Sequence, residues 1–163
     1  MISFQEVTDI KPLAELADEI WHEYWPAKIS AEQTDYMVNK FQSEPAIKSQ
    51  IDNENYVYFF ILAEDKIAGY MGLSKKQDYL FLSKIYIKKD FRGQGIGGKA
   101  FGFIKEFAQN LKYEKVILTV NKYNYDTISA YKKWGFETVN SVVTDIGNGF
   151  VMDDFIMEYV IKN

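Results

Sequence analysis

Four glycines fall within six residues near the middle of the chain, in the segment RGQGIGGK at residues 92–99. An apolar run precedes this segment and a helical pattern follows it. Glycines allow a tight turn that brings backbone N–H groups close to a ligand. The first turn of the following helix adds its unpaired N–H groups and the positive end of its dipole. The segment therefore predicts a phosphate or pyrophosphate site, with a tight turn that binds nothing as the plainer alternative.

Two nucleotide motifs overlap with this glycine pattern, but each lacks a required residue. Gly93, Gly95 and Gly98 fit the dinucleotide pattern G-x-G-x-x-G, which also requires an acidic residue about 20 positions further on. The next predicted strand ends in Thr-Val-Asn instead. The pattern G-x-x-x-x-G-K is present too, but Ala100 follows where a P-loop needs a hydroxyl for magnesium. Both nucleotide interpretations are therefore disfavoured.

A third pattern, R-x-x-G-x-G, is formed by Arg92, Gly95 and Gly97, and a second motif follows it. That motif runs from VNKYN at residues 120–124 to YKKWGF at residues 131–136. Together the two segments resemble the GCN5-related N-acetyltransferase (GNAT) family. The resemblance covers the whole chain and is strongest over residues 82–136. It implies an acetyl-CoA-dependent N-acetyltransferase, with acetyl-CoA as co-substrate and no metal.

The resemblance also implies which residues bind the coenzyme. In the family, the glycine loop binds the pyrophosphate, and the preceding strand binds the pantetheine arm through its main chain. That strand bulges away from its neighbour, and one of its N–H groups, here that of Ile87, binds the thioester oxygen. The polar pair Ser83-Lys84 is compatible with such a bulge. The implied coenzyme-binding residues are Ile85, Tyr86, Ile87, Arg92, Gly93, Gln94, Gly95, Ile96, Gly97, Gly98, Asn124 and Tyr131.

Tyr131 matches the family's catalytic general acid. A phenol with an ordinary pKa of about 10 stays protonated at neutral pH and can protonate a departing thiolate. A core tyrosine on an amphipathic helix is the alternative, in a chain that has 12 tyrosines. Asn124 matches a coenzyme-binding asparagine, and a helix cap is its alternative role.

The general base is not defined by the motifs. Some relatives place a glutamate on the strand before the loop, where this chain has Ser83 and Lys84. This departure favours a water chain as the proton acceptor. His22 and Glu23 are further candidates, although an exposed helix face also explains them.

The N-terminal helices line the acceptor pocket in the family, and here they combine carboxylates with aromatic rings. These residues are Asp18, Glu19, Glu23, Glu32 and Asp35, interleaved with Trp21, Tyr24, Trp25 and Tyr36. Such a set suits an amine cation, and His22, Glu23 and Trp25 are the candidate substrate-binding residues.

Three segments, YIKKDFRGQGIG, YKKWGF and VMDDFIMEYVI, are similar to the polyamine-acetylating branch of the family. The predicted function is therefore direct transfer of an acetyl group, in a ternary complex, to a primary amine of a small molecule such as spermidine or spermine. A peptide or protein N-acetyltransferase is one alternative. A non-enzymatic acyl-CoA-binding or regulatory module of the same fold is another.

Hydrophobic periodicity predicts one domain over residues 1–163 with an α/β (α+β) mixed-sheet fold, as the GNAT resemblance implies. The sheet is expected to have about six or seven strands, flanked by about four helices. Strands are predicted at residues 2–7, 56–63, 67–73, 79–88 and 116–120, with two more within 136–161 that join near Gly147-Asn148-Gly149. Helices are predicted at residues 11–24, 30–41, 101–111 and 127–134, with a break or restart at Ser43-Glu44-Pro45.

Composition excludes several function classes. The chain has no cysteine and one histidine, which leaves no thiolate chemistry and little scope for a zinc site. A net charge of −4 without a basic stripe argues against a nucleic-acid partner. No apolar run approaches the length of a membrane span, and no signal peptide is recognisable. A cytoplasmic protein without a membrane partner is expected. The sequence itself does not define the oligomeric state, and the resemblance is compatible with a homodimer because dimers are frequent among relatives.

Overall fold

The computed structural model describes residues 1–161, which form a seven-stranded sheet with five α-helices. The strands are β1 (Ile2–Glu6), β2 (Tyr56–Ala63), β3 (Lys66–Lys75), β4 (Leu80–Ile87), β5 (Lys115–Asn121), β6 (Glu137–Gly147) and β7 (Phe150–Val160). The helices are α1 (Ile10–Tyr24), α2 (Ala31–Phe41), α3 (Glu44–Asn53), α4 (Ile96–Asn110) and α5 (Tyr125–Trp134), with short 3-10 turns at Trp25–Ala27 and Lys89–Phe91. The predicted mixed α/β fold is confirmed.

The sheet consists of two antiparallel halves joined by one parallel pair. Its strand order is β1-β2-β3-β4-β5-β7-β6. Strands β1 to β4 pair antiparallel, as do β5, β7 and β6, while β4 and β5 run parallel. Helix α4 makes the crossover between the two parallel strands, as parallel neighbours require. None of the helices within residues 1–161 has the length and apolar character needed to cross a membrane.

The N-terminal region contains three helices where the sequence indicates two. Ser30 caps α2, because its hydroxyl accepts a hydrogen bond from the Gln33 backbone N–H at 3.0 Å. Ser43 caps α3 in the same way, with Ala46 N–H as the donor at 3.3 Å. Pro45 lies in the first turn of α3, where its missing N–H costs no hydrogen bond. The break at Ser43 thus raises the number of helices from the expected four to five.

Each face of the sheet carries its own hydrophobic core. Helices α4 and α5 cover one face, where Ile104 and Ala100 pack against Leu82 and Leu118. Helices α1, α2 and α3 cover the other, where Leu13 and other apolar side chains pack against the buried rings of Tyr58 and Tyr70. Burying a leucine-sized side chain contributes about 1.5 to 3 kcal/mol. The two cores hold the strands between the helix layers and fix the point where β4 and β5 meet.

Candidate active site

Strands β4 and β5 separate shortly after they meet. They pair over three residues each, from Leu80 opposite Val116 to Leu82 opposite Leu118. The remaining five residues of β4 have no partner on β5. Because hydrogen bonding stops while both strands continue, the sheet opens into a V at its centre.

An extra residue in β4 accounts for this separation. In the pairing with β3, Lys84 lies opposite Gly72 and Leu82 lies opposite Leu73. Ser83 is therefore a β-bulge, and a bulge bends its strand and increases the local twist. The predicted bulge near Ser83-Lys84 is confirmed.

The open V is the floor of a cleft of about 930 Å³. Both sheet halves, the three N-terminal helices, the N-terminal end of α4 and one side of α5 along its length contribute to its walls. Its lining includes Trp21, Tyr24, Trp25, Lys84, Tyr86, Ile87, Arg92, Gly93, Asn124, Tyr131 and Asp154. The cleft thus joins residues from the beginning, the middle and the end of the chain.

The separated part of β4 presents backbone groups to the cleft. The Lys88 N–H donates to the Ala68 carbonyl of β3 at 2.7 Å. Successive residues of a strand point their N–H groups to opposite edges. The N–H groups of Ile87 and Ile85 therefore point away from β3, toward the gap beside β5. Arg92 Nε donates to the Ile87 carbonyl at 2.9 Å from that side.

The glycine loop reaches the N-terminus of α4 through two left-handed residues. Gly93 has φ of 78° and Gly95, the N-cap residue of α4, has φ of 76°. No side chain among residues 1–161 caps α4, so the N–H groups of its first turn remain available to a ligand. A Cβ added at Gly93 or Gly95 would meet no atom within 4 Å. At these two positions glycine is required by the backbone conformation and not by crowding.

The other predicted loop residues offer mainly their backbone. The Ile96 side chain is buried in the core under α4, so only its main chain can face a ligand. The Gln94 side chain is exposed and donates to the Asp90 carbonyl at 3.3 Å. A Cβ on Gly97 would lie 3.2 Å from the Trp134 ring, while Gly98 has more room. Small residues here let α5 pack close to the start of α4.

The Tyr131 hydroxyl lies in the cleft near the separated strands. The side chain is 7% exposed, and its ring packs against Trp134 and Phe136. Within the described part of the chain, its hydroxyl makes no hydrogen bond. Burial, and to a lesser extent the Tyr24 phenol, raises the pKa of Tyr131 above the ordinary tyrosine value. The phenol is therefore fully protonated at neutral pH, as a proton donor must be.

Asn124 links α5 to α1 across the cleft. Its side chain is buried, and its Oδ1 accepts a hydrogen bond from the Tyr24 hydroxyl. The same hydroxyl lies 3.2 Å from Thr127 Oγ1. Asn124 occupies the N-cap position of α5, but its side chain makes no capping hydrogen bond. The alternative role as a side-chain cap is therefore wrong.

The aromatic residues of α1 line the cleft as expected. Trp25 Nε1 donates to the Tyr86 hydroxyl at 3.2 Å, and Trp21 Nε1 donates to the Tyr70 hydroxyl at 2.7 Å. Trp21 and Trp25 are four residues apart and so lie on one side of the helical segment. These hydrogen bonds fix the indole rings against the sheet, with Tyr24 beside them.

His22, expected to bind substrate, lies outside this cleft. Its Nε2 is 2.5 Å from Asp35 Oδ1, and its Nδ1 is 2.9 Å from the Asp18 carbonyl oxygen. These three residues line a separate, shallow depression of about 390 Å³. Since each helical residue is turned by about 100° from the last, His22 cannot share the direction of Trp21. The prediction that His22 binds substrate is corrected.

Glu23 likewise does not line the cleft. Its Oε1 lies 3.0 Å from Nη1 of Arg92, and the Arg92 guanidinium is 5.3 Å from the centre of the Tyr24 ring. Glu23 therefore orients the arginine of the glycine loop. As a base or a substrate ligand it would first have to leave this ion pair, so that prediction is not supported by its position.

The other carboxylates of α1 and α2 also point away from the cleft. Glu19 pairs with Lys88 at 3.7 Å, Asp18 and Asp35 flank His22, and Glu32 is exposed. Helix α1 uses its apolar side against the sheet and places its charges on the solvent side. The expected acidic lining from these helices is therefore wrong.

Several charged residues of the cleft were not predicted as site residues, and two of them have perturbed pKa values. Asp154 in β7 lies opposite Asn121 of β5 and is 5% exposed. Burial, and next the charge of Asp153, raises the pKa of Asp154 to about 6. Lys84 is half-buried, and its Nζ donates to Ser83 Oγ at 3.0 Å and lies 5.0 Å from the centre of the Tyr56 ring. Burial lowers the pKa of Lys84 to about 7.

The sequence does carry a signal for these two residues. Each is a charged side chain inside an otherwise apolar strand, in VMDDFIM and in LFLSKIYI. Strand alternation assigns one of the two adjacent aspartates to each side of the sheet. Which aspartate faces the cleft depends on the register of β7 beside β5, which the sequence does not reveal.

Comparisons with known proteins identify relatives over most of the chain. The family model described as the acetyltransferase (GNAT) family matches residues 15–136. A Bacillus subtilis (strain 168) protein, provisionally described as a ribosomal protein bS18-alanine N-acetyltransferase, is 28% identical over 83 residues. The match spans 50% of this chain and 55% of that protein, so about half the length of this curated relative is covered.

Solved structures share the fold over nearly the whole chain. The PaiA N-acetyltransferase from Thermoplasma acidophilum, solved in complex with coenzyme A, superposes with a TM-score of 0.81 at 20% identity. That match covers 98% of this chain and 99% of the other. The ribosomal-protein-S18-alanine N-acetyltransferase from Escherichia coli gives a TM-score of 0.70 at 19% identity, covering 100% and 96% of the two chains.

Proposed function

Because the chain belongs to the GNAT family of acetyltransferases, we propose that it transfers an acetyl group from acetyl-CoA to the primary amine of a small molecule. The observation that carries this proposal is the opening between β4 and β5 beside an uncapped helix N-terminus and a protonated phenol. In this proposal the opening holds the acetyl donor, the helix N-terminus binds its phosphates and the phenol supplies a proton, all within one cleft.

Acetyl-CoA, the acetyl donor, would bind along the edge of β4 and at the start of α4. The pyrophosphate of acetyl-CoA would bind the N–H groups of the glycine loop and the Arg92 guanidinium. The pantetheine arm would lie in the V beside β4, where the Ile85 N–H can act as a donor. The Ile87 N–H is then the candidate donor to the thioester oxygen, whose negative charge grows in the transition state.

Tyr131 is the proposed proton donor to the leaving thiolate. Its raised pKa keeps the proton in place until the sulfur carries negative charge. The hydroxyl has no competing hydrogen bond among residues 1–161, so it is available to the sulfur. Direct transfer in a ternary complex is the proposed mechanism, and it is supported by a cleft that is lined from both faces of the sheet.

A polyamine such as spermidine or spermine remains the proposed acceptor. Support comes from the rings of Trp21, Tyr24 and Trp25, whose faces attract cations, and from the Asp154 carboxylate. Lys84 adds limited positive charge, because with a pKa of about 7 it is only partly protonated at neutral pH.

A peptide α-amine is the second candidate acceptor. It is favoured by the similarity to proteins described as ribosomal-protein-alanine N-acetyltransferases. A thiol-release assay with acetyl-CoA, run against polyamines, aminoglycosides and peptides with N-terminal alanine, separates the two candidates. Coenzyme A binding without thiol release from any amine would instead favour a non-enzymatic acyl-CoA-binding module.

Replacing Tyr131 by phenylalanine tests the catalytic proposal directly. We expect Tyr131→Phe to lower kcat by about 10²- to 10⁴-fold, the usual contribution of general acid catalysis. Coenzyme A affinity, measured by calorimetry, should stay within about twofold because the lost hydroxyl acts on the sulfur during transfer. Tyr125→Phe is the matched control, since Tyr125 lies on the same helix with its side chain 68% exposed. Unchanged turnover in Tyr131→Phe would contradict the proposed role.

A further inference from the structure

Asp154 is a carboxylate that the proposed donor chemistry does not use. It lines the cleft and is 5% exposed. Across the part of the chain that the structure describes, its side chain makes no hydrogen bond and no ion pair. Burying a carboxylate without a hydrogen-bond partner is costly, and the more distant Lys122 charge offsets only part of that cost, so this side chain lowers the stability of the fold. Such groups are typical of sites that bind a ligand of opposite charge.

Few charged groups surround Asp154. On β7 the neighbour is Asp153, which points to the other side and pairs with Lys122 at 2.8 Å. Lys122, after β5, acts on Asp154 from farther away. From β4, the Tyr86 phenol is close enough to interact electrostatically with both Asp154 and Tyr131. Val142 of β6 and Asn121 of β5, the strand partners of Asp154, carry no charge.

The proximity of Asp154 to Tyr86 indicates where this carboxylate lies relative to the reacting groups. Tyr86 lies on the separated part of β4, between Ile85 and Ile87, and its hydroxyl accepts from Trp25 Nε1. Met152, two residues before Asp154 on β7, packs under the N-terminal helices, so Asp154 faces the same side of the sheet. The rings of Trp21 and Tyr86 line the cleft on this side, and a cation bound there could approach the carboxylate of Asp154.

We propose that Asp154 binds the ammonium group of the acceptor and takes one of its protons before acetyl transfer. This inference rests on the proposed function and adds the residue that selects and activates the amine. The predicted water chain, His22 and Glu23 are replaced by a side chain from the last strand.

The protons balance in this scheme. The ammonium gives its first proton to Asp154, and the neutral nitrogen then bonds to the thioester carbon. As the carbon–sulfur bond breaks, the sulfur takes the Tyr131 proton. The nitrogen loses a second proton, which restores the phenol, and keeps the third in the amide. The proton on Asp154 leaves to solvent, so the reaction releases one proton in total.

The pH dependence of kcat/KM distinguishes this role from a structural one. A primary amine has a pKa of about 10.4. Wild type, which binds the ammonium form, should reach a plateau above about pH 6, the pKa of Asp154. Asp154→Asn must bind the neutral amine instead. Its kcat/KM should therefore rise about tenfold per pH unit from pH 6 to 9, and lie about 100-fold or more below wild type at pH 7.

Three variants control this experiment. Asp153→Asn makes the same chemical change one residue away, on the opposite side of the strand, and should keep the plateau. Asp154→Glu retains a carboxylate and should restore part of the plateau. Lys84→Met removes a second titratable group of the cleft and should leave the rise of kcat/KM near pH 6 in place. Thermal unfolding and coenzyme A affinity, measured for each variant, identify any loss of folding.

Two results would overturn the inference. A plateau retained by Asp154→Asn would show that Asp154 takes no proton, while the acetyltransferase proposal would stand. If Lys84→Met lost the rise of kcat/KM near pH 6 while Asp154→Asn kept the wild-type pH profile, the proton acceptor would be Lys84 instead. If wild type and Asp153→Asn both failed to release thiol with any amine, the proposed function would fail and this inference with it.

Discussion

At the scale of single residues, the cleft contains polar side chains whose burial does not stabilise the fold. Tyr131 and Asp154 make no side-chain hydrogen bond within residues 1–161, and Lys84 bonds only to Ser83 and has no carboxylate partner there. Burial raises the pKa of the two acids and lowers that of the lysine, which in each case favours the neutral form. Perturbed titratable groups in one cleft mark a functional site.

The stability of the protein should therefore depend on the charge of Asp154. Its pKa is raised from 3.8 to about 6, so the fold disfavours the ionised carboxylate. The ionised carboxylate lowers the free energy of unfolding of wild type above about pH 6, and this destabilisation disappears as the pH falls toward 4. Asp154→Asn lacks the penalty and should be more stable at pH 8 by about 2 to 3 kcal/mol, since one pKa unit corresponds to about 1.4 kcal/mol.

Urea unfolding at pH 4.5 and pH 8 measures this difference. At pH 4.5 most of the Asp154 carboxyl is protonated in the folded state, and the gap between variant and wild type should shrink. An Asp154→Asn variant that is destabilised equally at both pH values would contradict the unpaired, buried state of the carboxylate.

At the scale of secondary structure, one bulge and one loop produce the proposed donor site. The bulge at Ser83 turns β4 away from β5, and the glycine loop then carries the chain into α4 without a side-chain cap. Both elements leave backbone N–H groups unpaired at the same end of β4. A nucleotide-like ligand can satisfy them together.

Amide hydrogen exchange should detect these unpaired groups one residue at a time. The Ile87 N–H points into the V and should exchange fast in the free protein. Coenzyme A should slow it by up to about 100-fold when present at about 100 times its Kd. The Tyr86 N–H, on the β3 side, should be protected with or without ligand. Equal protection of both amides in the free protein would contradict the open strand edge.

At the scale of the whole molecule, the two halves of the sheet meet at a short seam. Only β4 and β5 join them within the sheet, over three residues each. The cores on the two faces, together with the Tyr24–Asn124 hydrogen bond, hold the halves together elsewhere. A ligand in the V would contact both halves and tie them to each other.

Coenzyme A should consequently raise the thermal stability of the whole chain. At a concentration of about 100 Kd, binding to the folded state adds about 2.7 kcal/mol. For a chain of 163 residues this corresponds to a rise in Tm of about 5 to 10 °C. Scanning calorimetry measures it, and Tyr131→Phe should show the same rise because its phenol acts on the sulfur. ATP or NAD at equal concentration is the control, and a larger rise with either would contradict the coenzyme assignment.

The local features of the cleft were predictable from the sequence because they depend on residues close together in the chain. The glycine loop, the α5 motif with Tyr131 and the polar pair in β4 are each continuous segments, and the structure places all three around one cleft. The strands and most helices were predictable from hydrophobic periodicity, because the apolar residues at the periodic positions are buried in the two cores. The extra N-terminal helix depends on the Ser43 cap, for which the sequence indicates only a break.

The direction of charged side chains was decided by tertiary structure alone. His22 and Glu23 have suitable chemistry, but α1 packs its rings against the sheet and turns these two residues outward. Asp154 enters the cleft from the last strand, 130 positions after Tyr24, because β7 inserts between β5 and β6. Sequence by itself determined the family and the glycine loop, whose contacts are local. Which carboxylate faces the cleft depends on long-range strand order and register, which only the folded chain defines.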